Sequence, residues 1–154
     1  MKGQCQIFLA LVLMFCFSMT QAQQPPDFEA EKAAGIFEYE VEKVIEKLKI
    51  TDDSTKQSVK DALYTYNKEM FNLSLENATT FKDLNDEFDR NVKIAMQNRD
   101  RSQMDGVKAK IQQVIPPIRK QVAAEEMVLN NTMKGVLSEK QNEKWLKYQK
   151  RKKG

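Results

Sequence analysis

The chain has 154 residues, 41% hydrophobic and 31% charged, with 25 basic and 22 acidic residues, two cysteines and no histidine. Its size fits one domain of modest core, and glycines and prolines are too sparse and clustered for the many turns of a sheet fold. Without imidazole there is no Ser-His-Asp triad and no ordinary zinc, copper or nickel site, and no G-x-G-x-x-G or P-loop string occurs.

Lys2, an apolar run from Ile7 to Phe17 and then Thr20-Gln21-Ala22 follow the order of a secretory signal peptide, with cleavage expected after Ala22. The run is short for a bilayer span, and Cys16 follows bulky Phe15 where a lipobox needs a small residue. Both Cys5 and Cys16 fall in this segment, so the exported domain expected over 23–154 has no thiol. Disulfides and cysteine nucleophiles are thereby excluded from it. Asp83, Asp86, Glu87 and Asp89 form the densest acidic group and read as a solvated helix face, since no glycine-containing acidic loop suited to calcium is present. No catalytic residue, cofactor or metal site is assigned, and the chain is not expected to be an enzyme.

The class expected is all-α, with four to five helices arranged as long, bent, amphipathic hairpins. Pro25-Pro26-Asp27 opens the first helix, with Asp27 as its N-cap and Phe37, Val41, Val44, Ile45 and Leu48 along one stripe. Ser54 and Gln57 have the spacing of a capping box for a second helix, which buries Val59, Leu63, Tyr66, Met70 and Leu73 and runs to about Asn77. The segment 77–80 is a kink, a turn or continuous helix, with Thr79 or Thr80 available as a cap. Phe81, Leu84, Phe88, Val92 and Ala95 then carry the stripe to about Gln97. From Ser102 the stripe of Met104, Val107, Ile111, Val114, Ile115 and Ile118 runs into Pro116-Pro117, where a kink or break is predicted before helix resumes to about Lys134. Gly135 is placed to end that helix in a left-handed conformation, and Ser138 and Gln141 form a second capping box for a final helix from Glu139 to about Arg151. Flexible methionines suit variable client surfaces, and Met70, Met96, Met104, Met127 and Met133 all lie on expected helices; Met70 and Met104 sit on the apolar stripes and read as core filling.

Charge is polarised along the chain. Nine acidic and four basic residues lie between Asp27 and Asp53, net −5, against twelve basic and four acidic from Gly106 onward, net +8. Opposite-sign ends suggest either packing of the first helix against the last or a head-to-tail contact between copies. The basic end Lys150-Arg151-Lys152-Lys153 reads as a solvated terminus or as an attraction for acidic clients and anionic headgroups. An exported chain has no call on nucleic acid as a partner.

The string Leu137-Ser138-x-x-Gln141-x-x-x-Trp145-x-x-Tyr148 resembles the L-T-x-x-Q motif of the Spy/CpxP family of periplasmic proteins, with Ser138 keeping the hydroxyl of the usual threonine. A looser copy runs from Leu48 to Gln57. The resemblance implies an all-helical protomer pairing as an antiparallel, cradle-like homodimer, and an ATP-independent periplasmic chaperone or envelope-stress adaptor for unfolded or partly folded envelope proteins. A regulator docking on a sensor-kinase domain is the alternative within the family. Outside it, an exchangeable helical bundle binding a lipid or membrane surface is the second choice. Arg90, Lys93, Arg99, Arg101, Lys108, Arg119 and Lys120 lie on the middle helices and are the candidate client contacts. Leu137, Ser138, Gln141, Trp145, Tyr148, Ser54 and Gln57 are assigned to caps, turns and packing.

Overall fold

A computed structural model describes residues 27–153. The expected signal peptide, its cleavage point after Ala22, both cysteines and Pro25-Pro26 lie outside the described residues. Six α-helices and one 3-10 turn account for most of the rest, with no strand among the described residues. In chain order they are α1 (Ala30–Ala34), α2 (Val41–Leu48), α3 (Asp53–Glu76), α4 (Ala78–Asn98), the turn Arg101–Met104, α5 (Asp105–Val136) and α6 (Glu139–Lys153). The fold is all-α.

Helical spacing of apolar residues sets which faces meet. Val41, Val44, Ile45 and Leu48 of α2, Val59, Leu63, Tyr66 and Met70 of α3, and Ile115, Ile118, Val122, Leu129 and Met133 of α5 are all buried in one cluster. The long α5 packs on both α3 and α4, to which the short turn returns it. α1 lies on α4 and α5, while α2 lies on α3 and α6. Val92, Ala95 and Val107 are buried at the α4–α5 end of the hairpin, outside the main cluster.

The first expected helix is divided. α1 stops after Ala34 because Gly35 takes a left-handed conformation (φ 83°), the chain then runs without helix from Ile36 to Glu40, and α2 begins at Val41. Its N-cap position is Glu29, not Asp27. No side chain caps it locally, and the Ala30 N–H instead donates to Asn85 Oδ1 at 2.8 Å. The expected Ser54–Gln57 box also gives way. Asp52 is the N-cap of α3 and accepts from the Thr55 N–H at 2.7 Å, because an extended carboxylate at the helix start outcompetes a hydroxyl already within the first turn. Gln57 donates to Asp61 instead, at 2.8 Å.

At residues 77–80 the interruption is one residue long. Asn77 (φ −103°, ψ 5°) ends α3 and precedes α4, and its side-chain amide donates to the Leu73 carbonyl at 2.8 Å; neither Thr79 nor Thr80 caps. The break predicted at Pro116-Pro117 is absent, since α5 remains helical through both. Each proline costs an interior helix about 3 kcal/mol. Both lie on the exposed face with Gln112 and Gln113, so the carbonyls they leave unpaired face water. Breaking the helix would displace the stripe of Ile115, Ile118 and Val122, each contributing roughly 1.5–3 kcal/mol by burial. Burial of the stripe is of the same order as the cost of the two prolines, and with both prolines facing water the helix continues through them. Gly135 is not a left-handed cap either: α5 runs to Val136, and Leu137 turns the chain in an extended conformation (φ −90°, ψ 147°).

The two glycines therefore respond oppositely to alanine. A Cβ at Gly135 meets nothing within 4 Å, so Gly135→Ala raises stability by about 0.5–1 kcal/mol, while Gly35→Ala, at positive φ, lowers it by about 1 kcal/mol. Urea denaturation of both variants checks this; a stabilising Gly35→Ala contradicts the assigned turn.

Candidate functional site

The C-terminal motif builds the wall of the core. Ser138 and Gln141 form the reciprocal cap: the Gln141 N–H donates to Ser138 Oγ (3.4 Å), and the Ser138 N–H donates to Gln141 Oε1 (3.0 Å). That start aims Trp145 inward, fully buried, with its indole N–H donating to Asn130 Oδ1 at 2.8 Å. Leu137 is buried and Tyr148 packs at the edge of the same cluster. Trp145 and Tyr148 meet Tyr39 at centroid distances of 5.0 and 6.2 Å, and Tyr66 lies 5.3 Å from Tyr39 on the other side. Gln149, buried behind them, donates to the Tyr39 hydroxyl at 3.2 Å.

The seven basic candidates do not share one surface. Arg90 and Lys93 border a shallow depression on α4 together with Asp86 and Asp89. Arg99 caps α4 in a left-handed conformation (φ 53°), Arg101 opens the 3-10 turn, and Lys108 pairs with Asp105 at 3.1 Å, all near the hairpin end. Lys120 is exposed on the outer face of α5, two turns before exposed Met127. Arg119 stands apart, donating to the Ala33 carbonyl across to α1.

Two surfaces that the sequence reasoning missed are more organised. On α3, Lys60, Tyr64, Lys68, Phe71 and Leu75 follow one another at spacings of three and four along a face turned away from the core. Tyr64, Phe71 and Leu75 are 57%, 59% and 65% exposed, values high enough to place the rings and the leucine in water. Lys60 is held toward α2 by Glu42 at 2.7 Å. The apolar period of α3 had been spent on the core stripe, so this second stripe was legible only as the residues left over.

The other surface is a groove of about 540 Å³ where α1, α5 and the end of α6 converge. Ile36, Phe37, Val122 and Ala123 contribute its apolar lining, and Lys32, Arg119, Lys152 and Lys153 its cations, with Glu126 the one acid among the lining residues. Lys153 pairs with Glu126 at 2.6 Å, and Lys152 approaches Glu40 at 3.8 Å. The basic end of the chain is therefore helical and folded against the acidic beginning, within one chain. No sequence signal joins Lys32 to Arg119 and Lys153, since only folding brings them together.

The chain matches no protein-family model, no curated protein and no solved structure. Among the described residues no group of acidic side chains is arranged to hold a metal ion, and no helix is long and apolar enough to cross a membrane.

Burial raises the pKa of both core phenols, Tyr39 and Tyr66, above the ordinary 10.0, with the Gln149 bond opposing the shift at Tyr39 and the charge of Tyr39 adding to it at Tyr66. Both stay neutral in the fold while the unfolded chain ionises near pH 10, so stability is intact below that pH and is lost as pH rises above it. The two hydroxyls differ in one respect. Tyr66 Oη is buried with no hydrogen-bond partner, whereas Tyr39 Oη is bonded. Tyr66→Phe is expected to be neutral or stabilising at pH 7 and to lessen the alkaline loss; Tyr39→Phe, which strands the Gln149 amide, costs about 1–3 kcal/mol. Denaturant titrations at pH 7 and pH 10.5 measure both.

Proposed function

We propose that this chain is an exported, ATP-independent chaperone of the Spy/CpxP type, holding unfolded or partly folded envelope proteins on its outer helical faces. The observation that carries the reading is the α3 stripe, in which exposed Tyr64, Phe71 and Leu75 share a face with Lys60 and Lys68. Such a face offers an unfolded segment apolar contact and, at Lys68 between Tyr64 and Phe71, a cation for its acidic side chains. Lysine stems also add apolar contact while their ammonium groups stay in water. Exposed Met127 and Val128 on α5 and Met96 on α4 extend the apolar supply with side chains that adapt to different sequences. Capture of the unfolded state acts by mass action and needs no nucleotide.

The motif residues have a supporting part in this proposal. Ser138, Gln141 and Trp145 hold α6 on the body, and the client contacts lie elsewhere. An antiparallel pairing of two protomers into a cradle belongs to the same proposal. The stripe is narrow and interrupted by lysines, which suits a polypeptide better than the broad apolar face of an interfacial membrane helix.

The purified protein is expected to suppress aggregation of a client diluted from denaturant at near-stoichiometric ratio and without ATP. Replacing Tyr64, Phe71 and Leu75 together by serine should abolish most of that suppression while each surface change alters stability by no more than about 0.5 kcal/mol. No suppression across several clients at low and moderate salt overturns the proposal. Capture of one dominant partner from envelope extract would point to a sensor-domain regulator instead, and vesicle flotation that survives high salt to a lipid binder.

A further inference from the structure

We infer that the groove between α1, α5 and the end of α6 binds one single-chain amphiphile with a carboxylate head, of the fatty-acid class. At about 540 Å³ it falls within the range of roughly 300–1,000 Å³ typical of small-ligand sites, enough for one acyl chain. Its two kinds of lining match the two ends of such a molecule. Ile36, Phe37, Val122 and Ala123 offer an apolar bed for the chain, and the cations stand together for the head.

Arg119 is the cation best suited to receive it. The guanidinium is steadied by its bond to the Ala33 carbonyl and has no carboxylate within ion-pair distance among the described residues. A guanidinium presents five N–H donors in a planar fork that fits a carboxylate through two parallel bonds, so donors remain after the bond to Ala33. Lys32 and Lys153 already pair with Glu29 and Glu126, at 2.5 and 2.6 Å, and Lys152 is only loosely placed near Glu40. The Lys32–Glu29 pair is open to solvent and weak, and Lys152 is 3.8 Å from Glu40, so these two lysines add a positive field around Arg119 that a partner carboxylate can share; Lys153 stays with the more sheltered Glu126. A free phosphate or acetate would satisfy the cations and leave the apolar bed empty. A cationic amphiphile would fill the bed and be repelled at the mouth.

The groove and the α3 stripe involve different residues, which lets their failures be told apart. Calorimetric titration of the purified chain with laurate, below its micelle-forming concentration and at low salt, should give saturable one-to-one binding. Arg119→Glu is expected to weaken it by about tenfold or more. Ala123→Trp, at an exposed α5 position whose side chain would fill the groove, should abolish it with the fold retained by circular dichroism. The serine variant of Tyr64, Phe71 and Leu75 should bind laurate unchanged. Equal binding of dodecyltrimethylammonium, binding indifferent to both groove variants, or binding only to anionic two-chain vesicles overturns the inference.

Discussion

Tyr39 enters the core on a stretch of chain that forms no helix, and backbone buried there has no helical partner to meet its N–H and C=O. Asn67 on α3 supplies both. Its Oδ1 accepts from the Tyr39 N–H at 2.9 Å, and its Nδ2 donates to the Tyr39 carbonyl at 2.8 Å. A side-chain amide carries one acceptor and two donors, so it can pair with a peptide unit much as another peptide would. Leaving either group unpaired would cost about 1–3 kcal/mol, a large fraction of the stability of a domain this size. With the backbone secured, the Tyr39 ring is free to contact Phe37, Tyr66, Trp145 and Tyr148 at once. α3, α6 and the N-terminal arm are joined at this residue.

The rest of the architecture follows from what that junction allows. α1 and the segment 36–40 seal the space beside α5, burying Ala30, Ala34 and Ile36 against it. α5 supports the arrangement only as one uninterrupted helix, with the buried stripe on its inner face and the two prolines on its outer face. The ion pairs between chain ends, Glu40 with Lys152 and Glu126 with Lys153, close the same region. The exposed Glu40–Lys152 pair contributes at most about 1 kcal/mol, and Lys153 is held by the more sheltered Glu126.

This arrangement uses most interior polar groups to position backbone and rings, and leaves two organised surfaces outside, the α3 stripe and the groove. Inside, Asn67, Asn85, Asn130 and Gln149 each serve one named partner, and the Tyr66 hydroxyl is left unpaired. Outside, the α3 stripe combines exposed apolar residues with lysines, and the groove is lined by both apolar residues and cations. The first is the surface proposed to hold polypeptide, and the second the one inferred to take a small amphiphile. The stripe lies on one helix, and the groove joins helical residues of α1, α5 and α6 to the non-helical Ile36 and Phe37.

Helical class, the buried faces of α2, α3 and α5, the start of α6 and the core placement of Met70 and Trp145 were legible in the sequence, because they depend on spacing within one segment. In the first helix Gly35 was a local stop signal that the apolar stripe masked, while the support of the non-helical stretch after it by Asn67, twenty-eight residues from Tyr39 in sequence, was not legible. Passage of α5 through Pro116-Pro117 likewise depended on which side faced water. Among the candidate contacts, Arg119 alone reached a groove, and its companions Lys32, Lys152 and Lys153 come from opposite ends of the chain. Periodicity and capping act over a few residues and can be read from order alone. Which cations meet, which apolar stripe stays in water and which backbone groups find distant partners were decided by the tertiary fold, because each is a matter of proximity that only packing creates.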